Sequence, residues 1–330
     1  MQNTISSTHS GFNHIVAFEV SKAELVVNIL PGDRLLTIAN HRKAIRRLLT
    51  SEAKRNAKHG LGRMLAVCEA TGGYEREIIA VASDLGVDCH RAHGSSVRAY
   101  AKFSGTHAKS DPIDVRMIAR FAQTRQDLRL YLPPRAEQTE IRELMGRRDE
   151  LNAMIGAERC RLEHQTLKIV VKSIAAHIKA LEKQLGLIDD EIERLIAHDQ
   201  DFAHKAKLMR SLKGVGPVTA AAVLAYLPEI GQVSKATIAA LAGVAPFDRD
   251  SGKTKGARHI FAGRGVLRTK LYMAAVAAIT HNPVLRDYAQ GLSKRGKPSR
   301  VVITAVMRKI ITILNAIIAT QTPWKHANSA

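Results

Sequence analysis

The chain has 330 residues, 45% of them apolar and 24% charged, which suffices for two or three hydrophobic cores and excludes a disordered chain. Fifty Lys and Arg against thirty Asp and Glu leave a formal charge of +20, a field that gathers polyanions, nucleic acid first among them. Aromatics at 4% argue against base stacking as the main mode of binding.

In chain order, residues 1–18 lack the basic end and apolar run of a signal peptide. Cys68, Cys89 and Cys160 form no C-x-x-C pair, an odd, scattered set that fits a reducing, cytoplasmic location. Residues 14–30 read as two β-branched strands with a turn near Ser21–Lys22. A basic helix is expected over 41–58, a buried strand over 63–70 closed by Thr71-Gly72-Gly73, a helix over 74–85 and a strand over 86–93. Strands alternating with helices predict an α/β layer with parallel pairing, ending at Pro133-Pro134. From 137 to about 199 apolar residues recur at three- and four-residue steps (Leu144, Leu151, Ile155, then Leu181, Leu185, Ile188, Ile192), the pattern of a long charged helical hairpin or coiled coil. The remainder reads as helical and basic, with Gly-rich turns at 214–216, 251–256 and 262–265. From Ser251 onward, fourteen Lys and Arg face the single acid Asp287. Arg308, Lys309 and Asn315 interrupt the apolar run 301–320, so a core-facing helix is expected there rather than a membrane span.

Four acids stand out. Glu19 lies within an apolar strand and Glu69 ends another, where strand ends of an α/β sheet open toward ligands. Asp111 and Asp114 are three apart at a predicted helix start, hence on one face. Two bare carboxylates 4 Å apart repel by about 4 kcal/mol at an effective dielectric near 20. Mg²⁺ relieves this while keeping room for phosphate oxygens, and paired ions serve phosphodiester transfer. Three of the acids also have a plainer reading, whereas Glu19 in an apolar strand needs a partner. Ser110-Asp111-Pro112-Ile113-Asp114 fits ordinary helix-start chemistry, and Glu69 fits a strand-end acid. Ser251 sits on a predicted turn among Arg249, Lys253, Lys255 and Arg258. Its hydroxyl is a possible nucleophile if its proton is removed, or simply a turn serine. Lys213, Gly214 and Gly216 belong to a turn like that of a helix-hairpin-helix, open to a phosphate or serving packing alone. Arg264, Arg268 and Lys270, with Lys294, Arg295, Lys297 and Arg300, are candidate phosphate contacts.

Five stretches together resemble the DEDD transposases of the insertion sequence 110 family and the related Piv-type DNA invertases: V-A-F-E-V-S-K (16–22), C-E-A-T-G-G-Y (68–74), K-S-D-P-I-D-V-R-M-I-A (109–119), L-A-G-V-A-P-F-D-R-D-S-G (241–252) and L-R-T-K-L-Y-M-A-A (267–275). The resemblance implies a RuvC-like RNase H fold over 1–134, a helical coiled-coil connector over 135–203 and a mainly helical basic domain over 204–330. It implies Mg²⁺ or Mn²⁺ held by Glu19, Glu69, Asp111 and Asp114, with Ser251 as the nucleophile that links to DNA. Glu19 departs from the Asp usual at the first acidic position and reaches one methylene further. DNA is the expected partner, with an element-encoded guide RNA, a homo-oligomer joined through the connector, and no membrane. A site-specific invertase shares every motif. A RuvC-like nuclease needs the acids and not Ser251, and a catalytically impaired nucleic-acid-binding protein is the alternative that Glu19 leaves open.

Overall fold

Residues 12–106, 110–125, 128–131, 135–247 and 259–325 are described by the computed structural model. Ser251, Lys253, Lys255 and Arg258 lie outside the described residues. Two units divide the chain, Met1–Pro133 and Pro134–Ala330.

The first unit is built on a mixed five-stranded sheet of order β3-β2-β1-β4-β5. Strands β1 (His14–Val20), β2 (Glu24–Leu30) and β3 (Arg34–Ala39) pair antiparallel, while β4 (Met64–Glu69) and β5 (Asp88–Ala92) continue parallel from β1. Side chains alternate across a strand. In β1, Val16, Phe18 and Val20 face α1 (Arg42–His59) and α2 (Arg76–Asp84), whose Ile45, Leu49, Ile78 and Val81 complete one core. Ile15 and Ala17 face the other way, with Leu65 and Val67 of β4. Against them pack Val97 of α3 (Gly94–Phe103) and Val115, Ile118 and Ala119 of α4 (Asp111–Thr124). The sheet is thus covered on both faces, as parallel strands require.

A buried carboxylate needs partners. Glu52 of α1 has them in His14 Nε2 at 3.1 Å and Arg34 Nη2 at 2.8 Å, and the other ring nitrogen of His14 meets Asn56 Oδ1 at 3.1 Å. These bonds tie α1 to β1 and β3.

The second unit is mainly helical. Helices α5 (Ala136–Glu163) and α6 (Lys168–His198) fold back on each other, with Leu151 and Ile155 packed on Leu181 and Arg148 bonded to Asp189. The leucine periodicity is therefore satisfied within one chain, as an antiparallel hairpin. Ile141, Met145, Ile192 and Ile196 at its open end enter one core with α7 (Gln200–Arg210), α8 (Pro217–Tyr226), α9 (Lys235–Leu241), α10 (Gly265–His281), α11 (Pro283–Lys294) and α12 (Ser299–Thr320). The hairpin is not packed as a separate spacer. Between α9 and α10, β6 (Pro246–Phe247) pairs antiparallel with β7 (His259–Ile260). Among the described residues α12 is the helix long and apolar enough to cross a membrane by composition. Val302, Val306, Ile310, Ile311 and Leu314 instead fill the unit's core, and Asn315 accepts from Gly231 N–H and donates to the Val233 carbonyl.

Candidate functional site

Strand register brings the first two acids together. Phe18 of β1 lies opposite Cys68 of β4 in a parallel pair, so the next residues, Glu19 and Glu69, fall side by side at the carboxyl ends of both strands. Glu19 follows Ile15 and Ala17 in the alternation, and Glu69 follows Leu65 and Val67, so both belong to the face that α4 crosses. Both are half-buried.

Asp111 and Asp114 occupy the first turn of that same helix. Ser110 is the N-cap residue, with extended backbone and no capping bond from its side chain, so Asp111 stands inside the helix as its first residue. The helix-start reading of this segment is thus only partly realised: Pro112 is where a first turn tolerates it and the Ser110 carbonyl accepts from Ile113 and Asp114 N–H, but the Ser110 hydroxyl caps no amide. Val115, Ile118 and Ala119 hold α4 to the sheet, and Arg116 Nε bonds Asp33 Oδ1 at 3.0 Å beyond β2. The bond from Asn28, then Arg116, keeps the Asp33 carboxyl below its ordinary pKa despite some burial.

The turn after Glu69 is locked by a residue the sequence did not single out. Buried Glu75 accepts Thr71 N–H at 3.1 Å and Gly73 N–H at 2.9 Å through Oε2. Gly72 and Gly73 adopt φ of 58° and 98°, which L side chains rarely tolerate. A second such residue is Gly94, the first residue of α3. A Cβ there would lie 2.9 Å from Glu69 Cδ and overlap the carboxylate, although the backbone itself does not demand glycine. The Glu69 carboxylate rests in the space that this missing Cβ leaves.

Four carboxylates suit a hard divalent cation, since Mg²⁺ and Mn²⁺ take oxygen donors. Among the described residues no group of three or more His, Cys, Asp and Glu side chains is close enough to hold a metal ion. Backbone register and helix packing thus bring the acids to one face of the sheet, while the side chains themselves are not drawn into one cluster. Mutual repulsion of bare carboxylates works against such a cluster unless a cation balances it.

The second expected site lies on residues 248–258, outside the described residues, but its roots are described. The chain leaves at Phe247 and returns at His259. Below these strands, a Cβ on Gly243 would meet the Ala262 carbonyl at 2.6 Å, and one on Gly263 would meet Ala240 O at 2.7 Å, so the two chain segments touch backbone to backbone. Arg268 donates to Gly243 O and Ala262 O at 3.3 Å each. Arg264 forms a two-point bond with Glu229 at 2.6 and 2.7 Å, and its N–H donates to Leu241 O. Burial raises the Glu229 pKa, but the Arg264 bonds outweigh it and hold the carboxyl below its ordinary value. Lys270 pairs with Asp149 of α5. These three cations, expected at phosphates, have protein partners instead: they clamp the roots of the segment bearing Ser251 and join α10 to α5.

At the turn between α7 and α8 the two glycines differ. Gly214, at φ 107°, packs on α10, where a Cβ would come 2.5 Å from Ala278 Cβ, so its role is close packing. Gly216 caps α8 with open space around it, and Lys213 is exposed.

Comparison with known proteins bears on both units. A DEDD-type model described as "Transposase" matches residues 17–171, and the "Transposase IS116/IS110/IS902 family" model matches residues 206–290. The chain belongs to this transposase family. Membership makes it an enzyme of DNA transposition and recombination, and the first match implies an RNase H-like fold for the mixed sheet. The pilin gene-inverting protein of Moraxella bovis is 27% identical over 263 residues, 78% of this chain and 81% of that one. The 44.8 kDa protein of insertion element IS116 from Streptomyces clavuligerus is 32% identical over 139 residues, 41% of this chain and 33% of its own length. The 42 kDa protein of IS900 from Mycobacterium paratuberculosis is 28% identical over 158 residues, 47% and 38% of the two chains.

Proposed function

We propose that the protein cleaves and rejoins DNA strands with Mg²⁺ or Mn²⁺, through a covalent phosphoserine at Ser251. The observation carrying this reading is the β1–β4 register, which puts Glu19 beside Glu69 on the face crossed by the helix of Asp111 and Asp114. Those four carboxylates would hold the metal, which when bound neutralises them and the charge of the reacting phosphate. Gly94 leaves room for the Glu69 carboxylate, and Glu75 fixes the turn behind it. The Ser251 hydroxyl oxygen forms a bond to phosphorus as the bond to the leaving strand oxygen breaks. The hydroxyl proton passes to a neighbouring base, and the leaving strand takes up a proton as its own hydroxyl. Attack by a different strand's hydroxyl reverses the step, so the phosphodiester is conserved. Lys253, Lys255 and Arg258 would grip the phosphates beside Ser251, and Lys213 with Gly216 would grip the backbone elsewhere.

Such contacts read no sequence. Choice of site then falls to an element-encoded guide RNA or to unassigned DNA contacts. The exposed Leu167, Ile169 and Leu187 on the α5–α6 hairpin support a homo-oligomer formed there. Site-specific inversion is the second reading, favoured by the length of the match to the pilin gene-inverting protein; its chemistry would be the same.

The test is a DNA substrate nicked so that the leaving fragment diffuses away. With Mg²⁺ the wild-type chain should accumulate a covalent adduct mapping to Ser251, and Ser251→Ala and Glu69→Ala should form none. Strand cleavage by Ser251→Ala at the wild-type rate would replace this reading with a plain nuclease.

A further inference from the structure

In the second unit a groove of about 870 Å³ runs between the roots of the 248–258 segment and the outer face of α12. Val244, Pro246, His259 and Ile260 form one wall, and Tyr288 of α11 closes an end. The other wall is α12 itself. Its buried side carries Val302, Val306 and Ile310, leaving Arg300, Val301, Thr304, Arg308 and Lys309 facing the groove. This stripe follows from helical periodicity: 300, 304 and 308 are four apart and share a face.

The groove is cationic. Lys297, Arg300, Arg308 and Lys309 line it, all exposed, and no acid does among the described residues. Among those residues none of the four forms an ion pair, whereas Arg264 and Lys270 are both paired. Its floor is apolar, from Val244, Ile260, Val301 and the Tyr288 ring over which Lys309 Nζ lies 5.5 Å from the centroid. The Tyr288 ring and the apolar surface offer faces for bases, and the exposed cations beside them offer charges for phosphates, the combination that binds a single nucleic-acid strand. A duplex, with its bases paired inward, would leave the apolar surface and the Tyr288 ring unused. Arg300 and Arg308 stand two turns apart, about 12 Å along the helix, matching three or four stacked nucleotides at about 3.4 Å each.

We infer that this groove holds an unpaired DNA strand, the few nucleotides adjoining the cleaved phosphate. The inference rests on the proposed chemistry at Ser251, because the groove is walled by the strands between which that residue lies in the chain. It joins Lys297 and Arg300, already candidate phosphate contacts, to Arg308 and Lys309, which in the sequence looked only like charges interrupting an apolar run.

The experiment measures binding of the full-length chain to fluorescent oligonucleotides by anisotropy, without divalent metal. Single-stranded DNA, the corresponding duplex and RNA of the same sequence are compared. The variant Arg300→Glu/Arg308→Glu/Lys309→Glu, and a milder triple Ala version, are set against Lys207→Glu/Arg210→Glu on the groove between α6 and α8. The groove variants should lose roughly tenfold or more in single-strand affinity, with a salt slope shallower by about two for three lost contacts. The control pair should lose little, all variants should melt like the wild type, and duplex affinity should change less. Undiminished single-strand binding by both groove variants would overturn the assignment. A loss confined to RNA or to duplex would overturn it too, naming a different occupant. Adduct formation at Ser251 is scored separately: a wild type that binds single strands through the groove but never forms the adduct condemns the serine chemistry and not the groove.

Discussion

Glycine at position 94 illustrates how one missing atom serves a distant residue. Its backbone is ordinary helix, so an alanine would suit α3 better by propensity. Only the Glu69 carboxylate explains the choice, since a Cβ would occupy its place. Gly94→Ala is expected to push that flexible carboxylate aside at small expense in stability and to weaken Mn²⁺ binding, measured by calorimetry, within the roughly 10–100-fold range seen for residues that orient metal ligands. Equal Mn²⁺ affinity for variant and wild type would show that Glu69 holds no ion from this position. Cys68, on the opposite face, is a poor competitor for metal: the hydrogen bond its thiol shares with Cys89, with burial, pushes its pKa well up, and the thiolate is the form that binds metals.

Elements rather than single residues fix the roots of the 248–258 segment, and acid should loosen them in a predictable direction. The Glu229 carboxyl is held below its ordinary pKa of 4.5. Its contribution to stability is therefore complete above that value and lost as pH falls through the lowered one. Glu229→Gln should melt lower than wild type at pH 7, by an amount worth up to about 1 kcal/mol for a pair one-third exposed. The difference should shrink as melts are repeated at successively lower pH below 4.5. A gap that stays constant down to the lowest pH at which the wild type folds would remove the Arg264–Glu229 pair from the account.

Much of the first unit was legible because buried strands announce themselves. HIVAFEV and MLAVCE are continuous apolar runs with one acid each, and both became central strands. Strand β3 was missed because RLLTIA lies at a sheet edge with half its residues exposed, and α3 because Gly94-Ser95-Ser96 reads as a loop. The leucine spacing gave the α5–α6 helices and offered a hairpin or a coiled coil without choosing between them, since periodicity marks a face and not what covers it. Arg264, Arg268 and Lys270 looked like phosphate contacts because their partners, Glu229, two carbonyls and Asp149, are remote in sequence. Arg308 and Lys309 were hidden for the converse reason: only the packed helix shows that they share one outward stripe.

At the scale of the whole molecule, the charge of +20 is unevenly used. Several cations of the α5–α6 hairpin and the strand roots are held in pairs with acids, Arg148 with Asp189, Arg159 with Glu182, Arg264 with Glu229 and Lys270 with Asp149, whereas Arg300, Arg308 and Lys309 stand exposed along the groove face of α12. The reaction itself depends on whether the sheet face of the first unit gathers a divalent ion. Anomalous diffraction from crystals soaked in Mn²⁺ answers this directly. The account predicts a peak bounded by the carboxylates of Glu19, Glu69, Asp111 and Asp114, absent from Glu69→Ala crystals. A wild-type peak elsewhere, or one that persists unchanged when Glu69 is removed, would contradict it.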